Sequence, residues 1–235
     1  MMVRCTLMTM KQNIDRISIQ VGLSGYSFKI ETDDTIRSSE WLSADRIFTS
    51  SEFQRRYDEV GISVFTPKCT LVPRQFFNPQ SARQIISEIA DIDDSDIVDY
   101  VEVPQFASVL IYSNSIGESL SKVISDMVLR PDGSRTRPLP ELYYMLADLQ
   151  NMQEYNKIIA SYKDGYLYLV VAQGRTLLLC NAFQAQDFTT AEYFIFMVMK
   201  KLQLNIEMSS ICFRTALAEE EEISLYRYFK NVEQI

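Results

Sequence analysis

The sequence predicts an α/β fold with mixed sheets, made of two related halves. Three observations carry this. Apolar residues alternate with period two on both sides of a glycine-containing turn at 17–30, and again at 157–171. Helical and strand-like segments alternate after each hairpin. Between the halves lies one proline- and arginine-rich connector, RPDGSRTRPLP at 130–140.

Taken in order, Ile17, Ile19 and Val21 face one way, and Tyr26, Phe28 and Ile30 follow a Gly-Leu-Ser-Gly turn. A helix is expected over 49–60, opened by a Thr49/Glu52 capping box, with Phe53, Tyr57 and Val60 on one face. ISVFT and CTLVP read as short strands broken by Pro67 and Pro73. Asn78-Pro79 opens a helix with a buried stripe of Ile85, Ile86 and Ile89. Strands follow at 98–103 and 106–112. Ser115 and Glu118 then cap a helix carrying Leu120, Val123, Ile124, Met127 and Val128 at 3.6 spacing. After the connector come a helix over 142–152 and a meander at 157–162, 166–171 and 176–183. Asp187 and a Thr189/Glu192 capping box lead into the apolar helix YFIFMVMKKL, whose two lysines suit its C-terminal dipole. A strand near 208–213 and a helix from Glu219 close the chain.

Composition excludes several chemistries. The 235 residues are 47% apolar and 23% charged, as in an ordinary folded protein. Lys+Arg 23 against Asp+Glu 31 gives −8, which disfavours phosphate backbones and anionic lipid, so no nucleic-acid partner is expected. With no histidine, His-based triads and His-ligated zinc are ruled out. Cys5, Cys69, Cys180 and Cys212 form no Cys-x-x-Cys pair. Three lie in strand-like apolar runs and read as reduced core thiols, although the count also permits two long-range disulfides. The opening MMVRCTLMTMKQN lacks a signal-peptide core, and no apolar run is long enough to span a bilayer. A cytoplasmic protein without a membrane span is expected.

The hairpins superpose in sequence: Ile19 to Ile30 falls on Ile159 to Val170, with Gly25-Tyr26 on Gly165-Tyr166. An internal duplication with this layout resembles the actin-like ATPase (ribonuclease H-like) fold of actin and the sugar kinases. More specifically, the chain resembles a bacterial family of unknown function with that fold. The likeness runs through ISIQVGLSGYSF, TLVPRQFF and LLLCNAFQAQDFTTAEYFIFMVMKKLQL. It implies two actin-like lobes, at 1–140 and a shorter one at 141–235, and transfers no catalytic residue.

Nucleotide-hydrolysing proteins of this fold carry Asp-x-Gly on the first hairpin of each half, an acid toward the metal and bare backbone toward the phosphates. Here the first triplet is Gln20-Val21-Gly22 and the second Ala160-Ser161-Tyr162. An amide and an alanine replace the acids. No catalytic residue, metal ligand or cofactor is therefore expected. If a nucleotide does bind, the candidates are Gln20, Gly22, Ser24, Gly25, Asp164 and Gly165.

Other patterns have plain structural readings. Asp91, Asp93, Ser95, Asp99 and Glu102 match five positions of a calcium loop, but Asp96 stands where glycine is needed and the exit is a strand. Glu219 to Glu222 suits a helix N-terminus. Ser119-Leu120-Ser121-Lys122 has Ser-x-x-Lys spacing but sits in an amphipathic helix and reads as part of it, and no Walker A or nucleophile elbow exists. Arg130, Arg135 and Arg137 read as a linker. Tyr143, Tyr144, Tyr226, Tyr228 and Phe229 are core or an interaction surface. The expected function is a non-hydrolysing binding or scaffold protein that recruits a protein partner. The alternative is an ATP-binding enzyme, ATPase or small-molecule kinase, with an atypical phosphate site and Mg-ATP as cofactor.

Overall fold

The chain is described by a computed structural model covering residues 15–114 and 118–235. β1 (Arg16–Val21) and β2 (Gly25–Glu31) form the expected hairpin, with Ile19 opposite Phe28 and Val21 opposite Tyr26. Period-two alternation buries Ile17, Ile19 and Val21 and turns Arg16, Ser18 and Gln20 to the other face. Two short strands that carry no alternation, β3 (Ile36–Ser38) and β4 (Leu42–Ser43), pair with β2. β5 (Glu59–Val64) pairs in parallel with β1.

The helix expected over 49–60 does not form. Only a single 3₁₀ turn spans Ser51–Gln54, and Val60 already lies in β5. Thr49 donates its hydroxyl to the Arg46 carbonyl (3.0 Å) at the end of an earlier 3₁₀ turn, Ala44–Phe48, instead of capping forward. Phe53, Tyr57 and Val60 nevertheless reach one core with Ile17, Ile19 and Ile62. A tight loop, closed by the Tyr57 hydroxyl on the Glu52 carbonyl (2.9 Å), mimics a helical face.

β6 (Cys69–Pro73), β7 (Val98–Val103) and β8 (Ser108–Ser113) make a separate antiparallel sheet in the order β6–β8–β7. Between β6 and β7, Asn78 accepts the Gln80 N–H (3.0 Å) and starts the turn into α1 (Ala82–Ser87). Ile86 is buried, but Ile89 is 60% exposed because the helix stops at Ser87 and the stripe stops with it. The expected strand at 106–112 begins only at Ser108, after a 3₁₀ turn at Pro104–Phe106.

α2 (Glu118–Met127) buries Ile124, and Val128 just beyond it, against the first sheet. Its expected Ser115 cap lies outside the described residues. The 130–140 stretch is not a free linker: Leu129 bridges to Arg135, and β9 (Leu139–Pro140) joins the sheet beside β5. The first sheet thus runs β3–β2–β1–β5–β9.

α3 (Glu141–Asp148) starts on Pro140 and is shorter than expected. β10 (Asn156–Lys163), β11 (Tyr166–Gln173) and β12 (Thr176–Gln184) form the meander. The side chain of Asp187 accepts the Thr190 N–H (2.7 Å) and caps α4 (Phe188–Lys201), whereas Glu192 closes no box. β13 (Ser210–Phe213) pairs in parallel with β10. α5 (Glu219–Tyr226) and an unexpected strand, β14 (Asn231–Gln234), finish a second sheet ordered β12–β11–β10–β13–β14.

Both halves therefore share one device: a hairpin whose first strand pairs in parallel with a later strand, Ile19 with Ile62 and Ile159 with Cys212. Three main cores result. One lies under the first sheet and one under α4 and α5. In the third, Leu142, Met145 and Leu149 near and along α3 are sandwiched with Phe65, Leu110 and Tyr112 from one half and Ile159, Tyr168 and Cys212 from the other.

Candidate functional site

The two hairpin turns meet. β10 and β11 run on to a two-residue turn, Asp164-Gly165, with φ of +52° and +77°. An aspartate followed by glycine suits such a left-handed turn. This projects the Asp164 carboxylate onto the first hairpin, where it accepts the Leu23 N–H at 2.8 Å. Gly22, whose own N–H bonds the Gly25 carbonyl (3.0 Å), packs so closely that a Cβ there would lie 2.5 Å from the Asp164 carboxylate and 3.0 Å from the Trp41 ring. At Gly25 a Cβ would sit 2.0 Å from the Leu42 carbonyl oxygen. Lys163 places its Nζ 3.5 Å from the centre of the Trp41 ring, and burial lowers its pKa. Ser24 is exposed on the turn and makes no hydrogen bond among the described residues.

Below the turns lies a buried polar knot. Glu141, at the first position of α3, is fully buried. Its carboxylate accepts from Gln20 Nε2 (3.0 Å), Ser161 Oγ (2.7 Å), the Ser63 hydroxyl and Arg214 Nε (2.8 Å). Arg214 also pairs with Asp148 and lies over the Tyr144 ring. Burial works against the guanidinium charge, but Glu141 and Asp148 outweigh it and hold the Arg214 pKa above its ordinary value. Burial lifts the Asp148 carboxyl above the usual range despite Arg214. The Tyr144 hydroxyl accepts the Ile62 N–H (2.9 Å), and burial raises its pKa to about 12.

Of the candidates, Asp164 is brought against Gly22, while Gly25 is closed on Leu42, Gln20 is held by Glu141 and Gly165 lies nearest the Ala185 carbonyl. In the second half Ser161 faces the knot, while Ala160 is buried in the core beneath α4 and α5. A magnesium triphosphate does not fit these residues. The Leu23 amide is capped by a carboxylate, the space beside Gly22 is filled, and Gln20 is held by Glu141. Among the described residues no group of three or more acidic or thiol side chains is arranged to hold a metal ion.

Glu141, Ser63, Arg214 and Trp41 are absent from the candidates read in the sequence. Glu141 follows a proline at a helix start, where an acid passes for a dipole partner. Arg214 ends an apolar strand, and a lone cation there was the available signal.

The remaining patterns resolve structurally. Asp96 is buried and accepts from Lys68 Nζ (2.6 Å) and the Asp93 N–H (2.9 Å), so the calcium-like loop is closed from inside. Asp99 pairs with Arg137, and Glu102 with Arg74. Arg137 also donates to the Tyr112 hydroxyl (2.8 Å), and Arg135 pairs with Asp126 (3.1 Å), so neither is a free linker cation. Cys69, Cys180 and Cys212 are free thiols. No helix among the described residues is long and apolar enough to cross a membrane.

A protein family described as "Protein of unknown function (DUF3822)" matches residues 10–232. The chain belongs to the DUF3822 family. No curated protein matches it. Among solved structures, this DUF3822 chain is similar to a Bacteroides thetaiotaomicron protein with actin-like ATPase fold and unknown function. That match has 18% identity and a TM-score of 0.65, covering 96% of this chain and 92% of that one. The fold is therefore actin-like, as the hairpin repeat implied. Weaker likenesses are to the PilM–PilN type IV pilus biogenesis complex (10% identity, TM-score 0.49, covering 95% and 89%) and to the ethanolamine utilization protein EutJ of Carboxydothermus hydrogenoformans (9%, 0.42, covering 94% and 84%).

Proposed function

We propose that this chain is a non-hydrolysing actin-like binding or scaffold protein of the bacterial cytoplasm that recruits a protein partner. Its two lobes, at 1–140 and 141–235, would derive from an internal duplication. The single observation that carries the reading is the Asp164 carboxylate on the Leu23 N–H (2.8 Å): the backbone that would cradle phosphate already holds an anion belonging to the chain. Gln20, locked on Glu141, supports it from below. The lobe division is supported by β9 closing the first sheet immediately before α3.

The test is a thermal-shift titration with Mg-ATP and Mg-ADP beside a steady-state phosphate-release assay. Ligands that bind the folded state raise its melting temperature. Flat melting curves and no turnover are expected. Steady ATP consumption that is lost in Asp164→Ala would overturn the proposal in favour of an atypical ATP-dependent enzyme. For the lobe division, limited proteolysis is expected to leave the 140/141 junction intact, because β9 and α3 are both buried there, with nicking confined to exposed turns.

A further inference from the structure

A groove of about 940 Å³ opens beside the knot, and it differs from an ordinary small-molecule pocket. Such pockets are mostly apolar with a few polar groups. This one is floored by the polar face of β1 and β2, including Arg16, Ser18, Gln20, Ser27 and Lys29. Among the described residues, both of its rims end in a strand with an unpaired side. β3 is the outermost strand of the first sheet and β14 the outermost of the second, and residues of both line the groove. An open strand edge offers main-chain donors and acceptors to an extended chain.

The charges in the groove are not balanced. Its cations are engaged: Arg16 and Lys29 on Glu31, with Arg16 also on Glu59, Arg214 on Glu141 and Asp148, and Lys163 on Trp41. Glu40, Glu154 and Glu233 also line it, and none of them has a basic partner among the described residues. Glu233 accepts only from neutral donors, the Asn231 amide (2.5 Å) and the Cys212 thiol (3.8 Å). With a net charge of −8, the whole chain adds to this field.

We propose that the groove takes an extended, lysine- or arginine-bearing segment of a partner protein, added as a strand along β3 or β14 with its cations on Glu40, Glu154 and Glu233. This rests on the scaffold reading and names the chemistry of its partner. Edge hydrogen bonds supply affinity, and the three carboxylates supply specificity for basic over acidic segments.

Trp41 is the only tryptophan and lines the groove, so its emission reports occupancy. The probes are blocked octapeptides alternating Val or Thr with Lys, the same peptide with Glu for Lys, and the Lys peptide N-methylated at alternate residues. The Lys peptide is expected to change Trp41 emission saturably, at least tenfold more tightly than the Glu peptide, and more weakly as salt rises. N-methylation removes main-chain donors and is expected to weaken binding about tenfold. The double variant Glu40→Lys/Glu154→Lys, at two exposed positions of the rim, is expected to do the same with an unchanged melting temperature. Equal binding of the Glu peptide, indifference to N-methylation, or no saturable change with the Lys peptide would each overturn the proposal. ATP turnover, measured separately, bears on the scaffold reading alone, so the two failures are distinguishable.

Discussion

The Asp164 carboxylate accepts the Leu23 N–H at 2.8 Å and thereby joins two turns 141 residues apart in sequence. A turn amide from one half and a turn carboxylate from the other are thus joined directly. Because the pair is solvent-exposed, its net contribution is that of one charge-assisted hydrogen bond, about 1–2 kcal/mol. Asp164→Ala should lower stability to chemical denaturation by about that much. Asp164→Asn, which keeps an acceptor and tolerates the positive φ, should cost less. Equal losses would show that the carboxylate charge carries the contact and that neither a neutral acceptor nor the turn preference of Asn makes up for it.

Gly22 and Gly25 should differ under the same substitution. At Gly25 the added Cβ meets a backbone carbonyl fixed by the β2–β4 pairing, 2.0 Å away, so Gly25→Ala should cost roughly 2–3 kcal/mol. At Gly22 the obstacles are the Asp164 and Trp41 side chains, which can move, and the loss should be about 1 kcal/mol, close to that of breaking the clasp. Additivity of Gly22→Ala with Asp164→Ala would contradict this, since both remove one contact.

Around Glu141, removing one charge leaves the other stranded. Arg214→Met should cost about 3–5 kcal/mol, and much of that should return in the double variant Glu141→Leu/Arg214→Met. Asp148 adds a pH signature. Its folded pKa is raised, mainly by burial, so between the ordinary carboxylate value and the raised one the folded chain keeps a proton that the unfolded chain has lost. Its contribution to stability therefore falls as pH rises through that window. Melting curves against pH should show this slope in the native chain and a flatter one in Asp148→Asn.

The thiols should be inert in the folded protein. Burial pushes Cys69 and Cys212 up to about 12 and Cys180 higher still, leaving almost no thiolate near neutrality. In a Cys5→Ser variant, labelling of the buried Cys69 and Cys212 with a thiol reagent should proceed only as fast as the chain unfolds, whereas Cys180 is half-buried. A rapid reaction of more than one equivalent would contradict the burial of Cys69 and Cys212.

Much of the fold was legible because its signals are local. The hairpin at β1–β2, the meander at β10–β12 and the Asp187-capped α4 each rest on alternation or capping within a few residues. The misreading at 49–60 shows where such signals fail: Phe53, Tyr57 and Val60 share a core without sharing a helix. β3, β4, β9 and β14 have two to four residues each, too few to show a period. The site was half legible. Gln20 stood out as the departure from Asp-x-Gly, with Gly22 kept, but Glu141 lies 121 residues from Gln20 and Asp164 lies 141 residues from Leu23, and no sequence spacing reveals such pairings.

The apolar stripe of Leu142, Met145 and Leu149, clamped between Phe65 and Leu110 on one side and Ile159 and Tyr168 on the other, bears on how the molecule can move. Scissoring of the halves would expose these side chains to water, so the stripe acts as a weld and not as a hinge. A pair of fluorophores placed on β3 and β12 should therefore report one fixed separation with or without a partner bound. Any signal this protein transmits would then not be carried by opening and closing of the halves.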